Sequence, residues 1–493
     1  MKHLILSLLL SLSLICPSLW AETVTAASCS PTDMASAVSS ANGGAGANSI
    51  VRIPAAASCH YTMGQTISDS GKKIEFVCLN GVGTLSFDFD YDGFNLSGTG
   101  SSIHDCYIKS TYADYPQSRP PAMVLLVGQN QRAHHNKLWH DQVNGGYGVF
   151  GVFANSQTQP AVVTAVADHN EFINARAQAQ GKGTGDWTPV SKIGNADQTG
   201  VFYVEDNTFY EDLSFWGNVV DCTLDATLVV RYNTFTSSAM AGGGFFIEAH
   251  SLDSVNRNCR SYEIYGNKFI GNGSQNWSIK IRGGTYMAWG NQTTGTTFGV
   301  LLMDNTRSDT VIIGGAYEDC DGMASSNVDE NLMGQNGRHC GDQVGSGRST
   351  NAGTIQPQAR EPAYGWLNTN SGVASQPSCC DSTNAVKMGG SSMDILHNDD
   401  WWDETGSGVI IGTSNPGTCP TGRGNWRTDR GSWRTAVPTQ GVIYTGQGTL
   451  GKCTSTDTWT NDVYVPYTYP HPLTAATAET ISKGPARARI NVR

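Results

Sequence analysis

The sequence predicts an all-β protein that folds as a single-stranded parallel β-helix, and three observations support this. A short phrase with one Asn recurs six times, at Asn136, Asn170, Asn207, Asn233, Asn267 and Asn291. The steps between them range from 24 residues to 37 residues, as in solenoid repeats. Before the Asn, β-branched and aromatic residues alternate with the period of a strand, as at 202–206. The 57 Gly and only 15% charged residues suit a turn-rich β-protein.

The first 21 residues have the features of a secretion signal. Lys2 provides a basic start, residues 4–20 are apolar but too few to cross a bilayer, and Ala21 is a small residue at the expected cleavage site. No second long apolar run follows. We therefore expect a mature protein without a membrane span, secreted to an extracellular or periplasmic location.

The cysteine content of the chain indicates disulfide bonds, and its net charge indicates which partners it disfavours. Of 13 Cys, 12 lie beyond residue 21, and an even number in an exported chain indicates disulfide bonds. Their pairing does not follow from the sequence. A formal net charge of −11 argues against a nucleic-acid partner, because phosphates would be repelled over most of the surface. The oligomeric state is not predicted.

The chain after the signal begins with a predicted helical cap. Ser30 precedes Pro31, which suits the first position of a helix, and residues 49–53 form a strand that stops at Pro54. A solenoid needs such a cap because its open end exposes core and unpaired backbone. Cys78 and Cys106 are 28 residues apart, about one coil, so we expect them near the turn that carries the Asn series.

Beyond the repeats, composition divides the rest of the chain. We predict a parallel β-helix with its cap over 22–316, a Cys-containing loop excursion over 317–393, a Trp-rich C-terminal capping region over 394–475 and a flexible tail over 476–493. The excursion is either a functional loop or a tethered surface loop. The Trp-rich region either seals the final coil, which we favour, or presents a sugar-stacking surface.

Several phrases resemble known β-helix proteins. An Ala-containing helix followed by a strand that ends in Ile53-Pro54-Ala55 resembles the start of secreted pectate-lyase-like proteins. The phrases CGDQVG at 340–345, EPAYGW at 361–366, WRTDRG at 426–431 and YPHP at 469–472 resemble a broad, largely uncharacterised set of exported bacterial right-handed parallel β-helix repeat proteins. The resemblance covers most of the mature chain and implies a right-handed coil, but no particular activity.

Candidate site residues lie two positions before each repeated Asn, where side chains should face away from the core. We call this series the outer ladder: His134, Asp168, Glu205, Arg231, Tyr265 and Trp289. Stacked coils would place neighbouring members about 4.8 Å apart at the backbone. We expect these side chains to be exposed.

The leading prediction is a polysaccharide lyase that acts on an acidic, uronate-containing glycan. Asp168 and Glu205 would bind Ca²⁺ through oxygen ligands, and we expect no other cofactor. Arg231 would act as base or carboxylate clamp and His134 as proton carrier. Tyr265 and Trp289 would then stack on sugar rings.

Two other functions remain open. In a glycoside hydrolase, the same two carboxylates would serve as acid and as nucleophile or base. In a non-catalytic extracellular protein that binds glycans or builds structure, Glu205 and Arg231 would only form a cross-strand charge pair of about 0.2–1 kcal/mol. The fold alone does not distinguish these possibilities.

A second candidate site centres on Glu248, Lys280 and Arg282. Ile247 and Ile281 are 34 residues apart, about one coil, so we expect Glu248 to lie beside Arg282, with His250 and Asp304 nearby. Glu248 would be a metal ligand. Lys280 and Arg282 resemble the basic pairs of some calcium-dependent lyases of this fold, which implies a catalytic role. The repeated Asn residues themselves are predicted to be structural, through amide hydrogen bonds between coils.

Overall fold

The computed structural model describes residues 22–41, 49–54, 58–62, 64–79, 84–87, 91–111, 121–141, 149–155, 163–181, 200–212, 218–240, 244–249, 258–303, 311–313, 316–318, 344–349, 358–379, 401–404, 408–442 and 447–475. The predicted signal at 1–21, the predicted tail at 476–493 and most of the predicted excursion lie outside these residues, as do His250 and Asp304.

The described strands form a parallel β-helix with three flanks, which confirms the predicted fold class. Each full coil contributes one strand to each flank, and strands of successive coils pair in parallel. The first flank is a 12-stranded sheet: Thr23–Thr25, Ser49–Ile53, Ile74–Cys78, Ser102–His104, Gln129–His134, Thr164–Asp168, Val201–Glu205, Thr227–Arg231, Ser261–Tyr265, Thr285–Trp289, Ala363–Trp366 and Trp401–Trp402.

The second and third flanks join into one 19-stranded sheet, because Lys268–Ile281 and Gln292–Met303 run through both. The second flank also has Ser58–Tyr61, Thr84–Phe87, Tyr107–Ser110, Lys137–His140, Glu171–Ile173, Thr208–Glu211, Thr234–Ser237, Thr369–Asn370 and the antiparallel Val373–Ala374. The third also has Ile67–Ser68, Phe94–Leu96, Ala122–Leu126, Phe150–Asn155, Arg176–Gln180, Asn218–Thr223, Phe245–Ala249 and Ser378–Cys379.

The predicted N-terminal cap is confirmed as helix α1, Pro31–Ala41. The Ser30 hydroxyl accepts a hydrogen bond from the Asp33 backbone N–H at 3.2 Å, as a helix N-cap does. Met34 and Val38 are buried against the first coil. A disulfide bond between Cys29 and Cys59 fastens the helix start to the second flank.

The Asn series is a continuous hydrogen-bonded ladder at the turn between the first and second flanks. Each Asn Nδ2 donates to the Oδ1 of the Asn in the next coil at 3.0 Å. Asn368 adds a seventh rung, and Cys106 continues the row in the other direction through its backbone N–H to Asn136 Oδ1. The residue before each of these seven Asn has a positive φ, between 54° and 65°. The ladder thus satisfies buried turn backbone from coil to coil.

The interior is apolar and regularly stacked. Two positions after four of the ladder Asn residues, Phe rings stack on one another with centroids 4.4 to 5.0 Å apart, at Phe172, Phe209, Phe235 and Phe269. The residues five and three positions before the Asn, such as Leu228 and Val230, are buried in the same core, as predicted. Cys78 and Cys106 form a disulfide bond between successive coils.

Two predicted segments differ from expectation. Within the expected excursion at 317–393, Ala363–Trp366 pairs with Thr285–Trp289 and continues the solenoid. Short antiparallel pairs are Val311–Ile313 with Ala316–Glu318, and Ser346–Ser349 with Gln358–Arg360.

The Trp-rich region also lies elsewhere than expected. Its strand Trp401–Trp402 extends the first flank beyond Ala363–Trp366. The rest covers the side of that flank, where the Val442 N–H donates to the Gly266 carbonyl and the Tyr464 hydroxyl donates to Glu263, whereas we expected the region to seal the last coil. Its sheet has the strands Ile410–Gly412, Gly424–Arg427, Thr449–Ser455 and Thr458–Tyr464, and helix α2 is Pro472–Ala475. No helix of the described residues is long and apolar enough to cross a membrane.

Candidate functional site

The outer ladder has the predicted order. In the first flank, each member pairs in register with the next, from His134 through Asp168, Glu205, Arg231 and Tyr265 to Trp289. His104 extends the series at one end and Trp366 at the other. The sequence pattern therefore predicted which side chains are neighbours.

The expected exposure of the outer ladder is wrong, because all six members are buried. They face away from the solenoid core, but residues 408–442 and 447–475, here called the C-terminal cover, lie on top of Glu205, Arg231, Tyr265 and Trp289. Tyr265 and Trp289 belong to an apolar cluster shared with Trp426, Trp433 and Tyr464 of the cover. From Val201–Glu205 to Thr285–Trp289, the first flank thus has protein on both faces.

Arg231 is the main polar link between ladder and cover. Its Nε and Nη2 contact Glu205 Oε2 at 2.7 and 2.6 Å, and its Nη1 donates to the Tyr265 hydroxyl at 2.9 Å. Nη1 and Nη2 also donate to the carbonyls of Tyr467 and Thr468, at 2.8 and 3.1 Å. These contacts give the guanidinium four hydrogen bonds and a second close approach to Glu205 Oε2.

The two partners of this pair shift differently: burial raises the pKa of Glu205 above its ordinary value although Arg231 acts to lower it. Burial alone would lower the pKa of Arg231, but the negative charge of Glu205 raises that pKa well above its ordinary value. The other carboxylate oxygen of Glu205 accepts the backbone N–H of His471 at 2.9 Å. Arg231 therefore stays charged. A residue that acts as a general base must first lose its own proton, so this environment does not favour Arg231 as a base.

Asp168, like Glu205, is a buried carboxylate that pairs with a buried arginine. Arg132 binds it with two parallel hydrogen bonds of 2.7 Å, and His169 Nδ1 lies 2.8 Å from Oδ2. Burial alone would raise the pKa of Asp168, but the hydrogen bonds from Arg132 and His169 hold it well below its ordinary value. Arg132 also donates to the carbonyl of Leu473 in the cover.

The residues expected to bind Ca²⁺ are thus occupied by arginine. Asp168 and Glu205 each face a guanidinium, and the described part of the chain holds no group of three or more His, Cys, Asp or Glu arranged to bind a metal ion. The roles expected for Asp168, Glu205, His134 and Arg231 stay predictions, which these contacts do not support.

Tyr265 and Trp289, expected to stack on sugar, stack on each other. Their ring centroids are 3.9 Å apart, and Trp289 stacks in turn on Trp366 at 5.2 Å. Trp433 packs edge-on against Tyr265. In this arrangement the rings hold the cover, and their sugar-binding role stays a prediction.

The second candidate site lies on the third flank, with a register two residues from the one expected. Ile247 pairs with Ile279, so Glu248 pairs with Lys280 across the strands, and Arg282 is not its direct neighbour. Arg282 nevertheless reaches Glu248 diagonally, with Nη2 2.6 Å from Oε1. The Lys280 ammonium lies 5.2 Å from the centre of the Phe245 ring. The expected catalytic and metal-binding roles of Glu248, Lys280 and Arg282 stay predictions.

A histidine cluster at the start of the ladder was not predicted. His104 stacks on His134 with centroids 4.5 Å apart, and its two ring nitrogens lie 2.8 Å from Glu75 and 2.9 Å from Asp105. Burial alone would lower the pKa of His104, but hydrogen bonds with Asp105 and Glu75 raise it to about 9. Burial lowers the pKa of His134 well below its ordinary value, so these two stacked rings differ in charge at neutral pH.

A group on the second flank was also missed, and we call it the aromatic patch: Tyr107, Lys109, Lys137 and Trp139. All four side chains are half-buried on the outside of the solenoid. The rings of Tyr107 and Trp139 lie 6.2 Å apart, 18° from parallel. The Lys109 ammonium lies 4.4 Å from the centre of the Trp139 ring, and that of Lys137 lies 5.5 Å from the Tyr107 ring.

The aromatic patch had a signal in the sequence. Its residues occupy the first and third positions after Cys106 and Asn136, which face outward for the same reason that the second position faces the core. The outer ladder contains only positions before the Asn, so it leaves out these outward-facing residues. The same reasoning applied after the Asn would have found the patch.

No family model, no curated protein and no solved structure matches this chain.

Proposed function

We propose that the protein is secreted and binds a polysaccharide through the second flank of its β-helix. The observation that carries the proposal is the aromatic patch, where two outward-facing rings stack on each other and each has a lysine ammonium over its face. Sugar rings have apolar faces that pack on aromatic rings, and hydroxyl groups that hydrogen-bond to nearby polar side chains.

The patch is held in a fixed arrangement. Tyr107 pairs with Lys137, and Lys109 pairs with Trp139, on adjacent strands. Asp141 forms an ion pair with Lys109, which keeps that ammonium beside the Trp139 ring. Binding groups on strands lose little freedom when a ligand binds, and such preorganisation favours affinity.

The lyase and glycosidase chemistry expected from the sequence is not part of this proposal. Both need side chains of the outer ladder to meet the substrate, but Glu205 and Arg231 are fully buried beneath the cover. The contacts of these residues suit a role in holding the cover.

Export is supported by two features. Residues 1–21 have the composition of a secretion signal, and four disulfide bonds connect the described residues, including Cys222–Cys259 and Cys419–Cys453. Disulfide bonds persist in oxidising environments outside the cytoplasm. We also propose that the chain is related to pectate-lyase-like proteins, because its N-terminal helix and the strand that ends in Ile53-Pro54-Ala55 resemble the start of those proteins.

Affinity electrophoresis of the purified protein through gels that contain single polysaccharides, neutral or acidic, tests the proposal. We expect at least one polymer to retard the protein, and Trp139→Ala to abolish most of that retardation. Phe298→Ala is the matched control, since Phe298 is an exposed ring outside the patch.

Binding that depends on Trp139 and not on Phe298, with no unsaturated uronate product detected by ultraviolet absorbance, supports a binding function. Failure of every polymer to retard the wild-type protein overturns the proposal. Release of unsaturated product from a uronate polymer would restore the lyase prediction.

A further inference from the structure

Positive and negative charges balance on the outward face of the second flank. Among the described residues of this face and its edge, from Tyr107 to Thr294, the charged ones are Lys109, Lys137 and Lys268, and Asp141, Glu171 and Asp212. Lys109 forms an ion pair with Asp141, and Lys137 Nζ lies 3.7 Å from Glu171 Oε1. The face is therefore close to neutral, although the whole chain has a formal net charge of −11.

One row of this face has uncharged side chains over six successive coils. Its members lie three positions after each ladder Asn, and each pairs in register with the next. We call this row the uncharged strip: Trp139, Ile173, Tyr210, Thr236, Ile270 and Thr294. All six are exposed or half-buried. At about 4.8 Å for each coil, the strip runs along the solenoid axis for roughly 24 Å.

Threonine hydroxyls lie beside the strip. Thr208 and Thr234 pair with each other in the neighbouring row, and both are half-buried on the same outward face. A threonine hydroxyl donates one hydrogen bond and accepts others, as the hydroxyl groups of a sugar do. The face thus offers apolar contacts in one row and hydrogen-bonding groups in the next.

We propose that the polysaccharide bound by the second flank is neutral and lies along the solenoid axis on the uncharged strip. This inference rests on the proposed function and adds the ligand class and the direction of binding. Trp139 and Tyr210 are two coils apart, roughly 10 Å, so the sugars of one chain reach both rings. A balanced face does not attract carboxylates, and the net negative charge of the protein repels them. The acidic glycan expected from the sequence is therefore not favoured.

The direction follows from where the charged side chains lie. A glycan that crosses the strands at Trp139 passes over Lys137 on one side and Asp141 on the other, since these residues lie two positions before and after it. Covering charged groups without new partners costs free energy. A glycan along the strip covers Ile173 and Tyr210 instead, and the burial of their apolar area is favourable.

Titration calorimetry with matched polymers tests the inference. The pairs are hydroxyethylcellulose with carboxymethylcellulose, dextran with carboxymethyl dextran, and methyl-esterified polygalacturonate with polygalacturonate, so that each pair shares a backbone and differs in charge. At low salt, we expect the wild-type protein to bind the neutral member of at least one pair more tightly than its charged partner. Added salt should leave the binding of the neutral polymer unchanged, because salt screens only charge interactions.

Two substitutions test the strip itself. Tyr210→Ala should weaken binding of the neutral polymer about two- to tenfold, and Trp139→Ala about tenfold. Phe298→Ala is the matched control, because the Phe298 ring is exposed but lies outside the strip. Circular dichroism of each variant confirms that the fold is retained.

The outcomes separate the inference from the function on which it rests. If the charged member of every bound pair binds as tightly as the neutral member, or more tightly, the neutral ligand is wrong and polysaccharide binding still stands. A loss with Trp139→Ala but none with Tyr210→Ala overturns the axial direction. Binding of no polysaccharide at all overturns the proposed function itself.

Discussion

Arg231 and Glu205 face each other on adjacent strands of the first flank, with Nε 2.7 Å from Oε2 and both side chains fully buried. The same guanidinium donates to the carbonyls of Tyr467 and Thr468, and the same carboxylate accepts the N–H of His471. One ion pair therefore joins two coils of the solenoid to the last described segment of the chain.

Arg231→Met should destabilise the protein by about 3–5 kcal/mol, because it leaves Glu205 buried without its cation. The double variant Arg231→Met/Glu205→Gln should recover part of this loss, since no charge then stays unpaired. Chemical denaturation of the variants measures both effects. Arg430→Met, which breaks the partly exposed pair of Arg430 and Asp462, should cost at most about 1 kcal/mol. Equal stabilities of Arg231→Met and Arg430→Met would contradict the role assigned to the buried pair.

Asn233→Ala should cost about 3 kcal/mol or more. Asn233 Nδ2 donates to the carbonyls of Val204 and Arg231 and to Asn267, and its Oδ1 accepts two hydrogen bonds from Asn207. Each buried group left without a partner costs about 1–3 kcal/mol. Thermal unfolding measures the effect, and Asn461→Ala at an exposed position is the control. If both substitutions lowered the melting temperature equally, the ladder would not be a main source of stability.

The His104 site should make stability depend on pH. Its pKa is raised from 6.5 to about 9, so the folded protein binds this proton more tightly than the unfolded chain does. The stabilisation is fully present below pH 6.5 and is lost as the pH rises through about 9. His134, whose pKa is lowered, acts in the opposite direction and weakens the fold as the pH falls below 6.5.

Glu75→Gln isolates the His104 contribution. It removes one of the two carboxylates that bind the ring, so the pKa of His104 should fall, and stability should decline less between pH 6.5 and 9 than in the wild type. Unfolding curves across this range, with proton NMR titration of the His104 ring, measure both quantities. An unchanged titration in the variant would contradict this account of the shift.

The disulfide connectivity is directly testable. Mass spectrometry of a non-reduced digest should find Cys29–Cys59, Cys78–Cys106, Cys222–Cys259 and Cys419–Cys453. Replacing both Cys78 and Cys106 by Ala should cost roughly 2–5 kcal/mol, because the bond closes a loop of 28 residues at the start of the Asn ladder. A different pairing of Cys78 in the digest would contradict the arrangement of the first coils.

The sequence predicted the parts of this fold that repeat locally. The strands, the Asn ladder, the helical cap and the order of the outer ladder all follow from short periodic patterns. Asn368 was missed because 77 residues separate it from Asn291, so its rung lies outside the regular spacing. The register of Glu248 was off by two because coil length varies, and a strand pattern with a period of two fits either register.

The burial of the candidate site was not predictable from such patterns. Arg231 contacts Tyr467, 236 residues later in the chain, and no periodicity links the two. An outward-facing Asp, Glu or Arg has the same sequence pattern whether water or another segment covers it. Whether charged side chains form a reactive surface or an internal interface is decided by contacts between distant segments.

The long separation between Arg231 and its partners in the cover also bears on how the molecule is made. Chains are synthesised from the N-terminus, so the coils around Arg231 emerge well before residues 467–471. During that interval, the Glu205 carboxylate, the guanidinium and the neighbouring aromatic rings have no covering segment. The solenoid can therefore coil progressively, but its first flank is covered only after residues 467–471 have been synthesised. A chain truncated before these residues would expose aromatic and charged side chains to its surroundings.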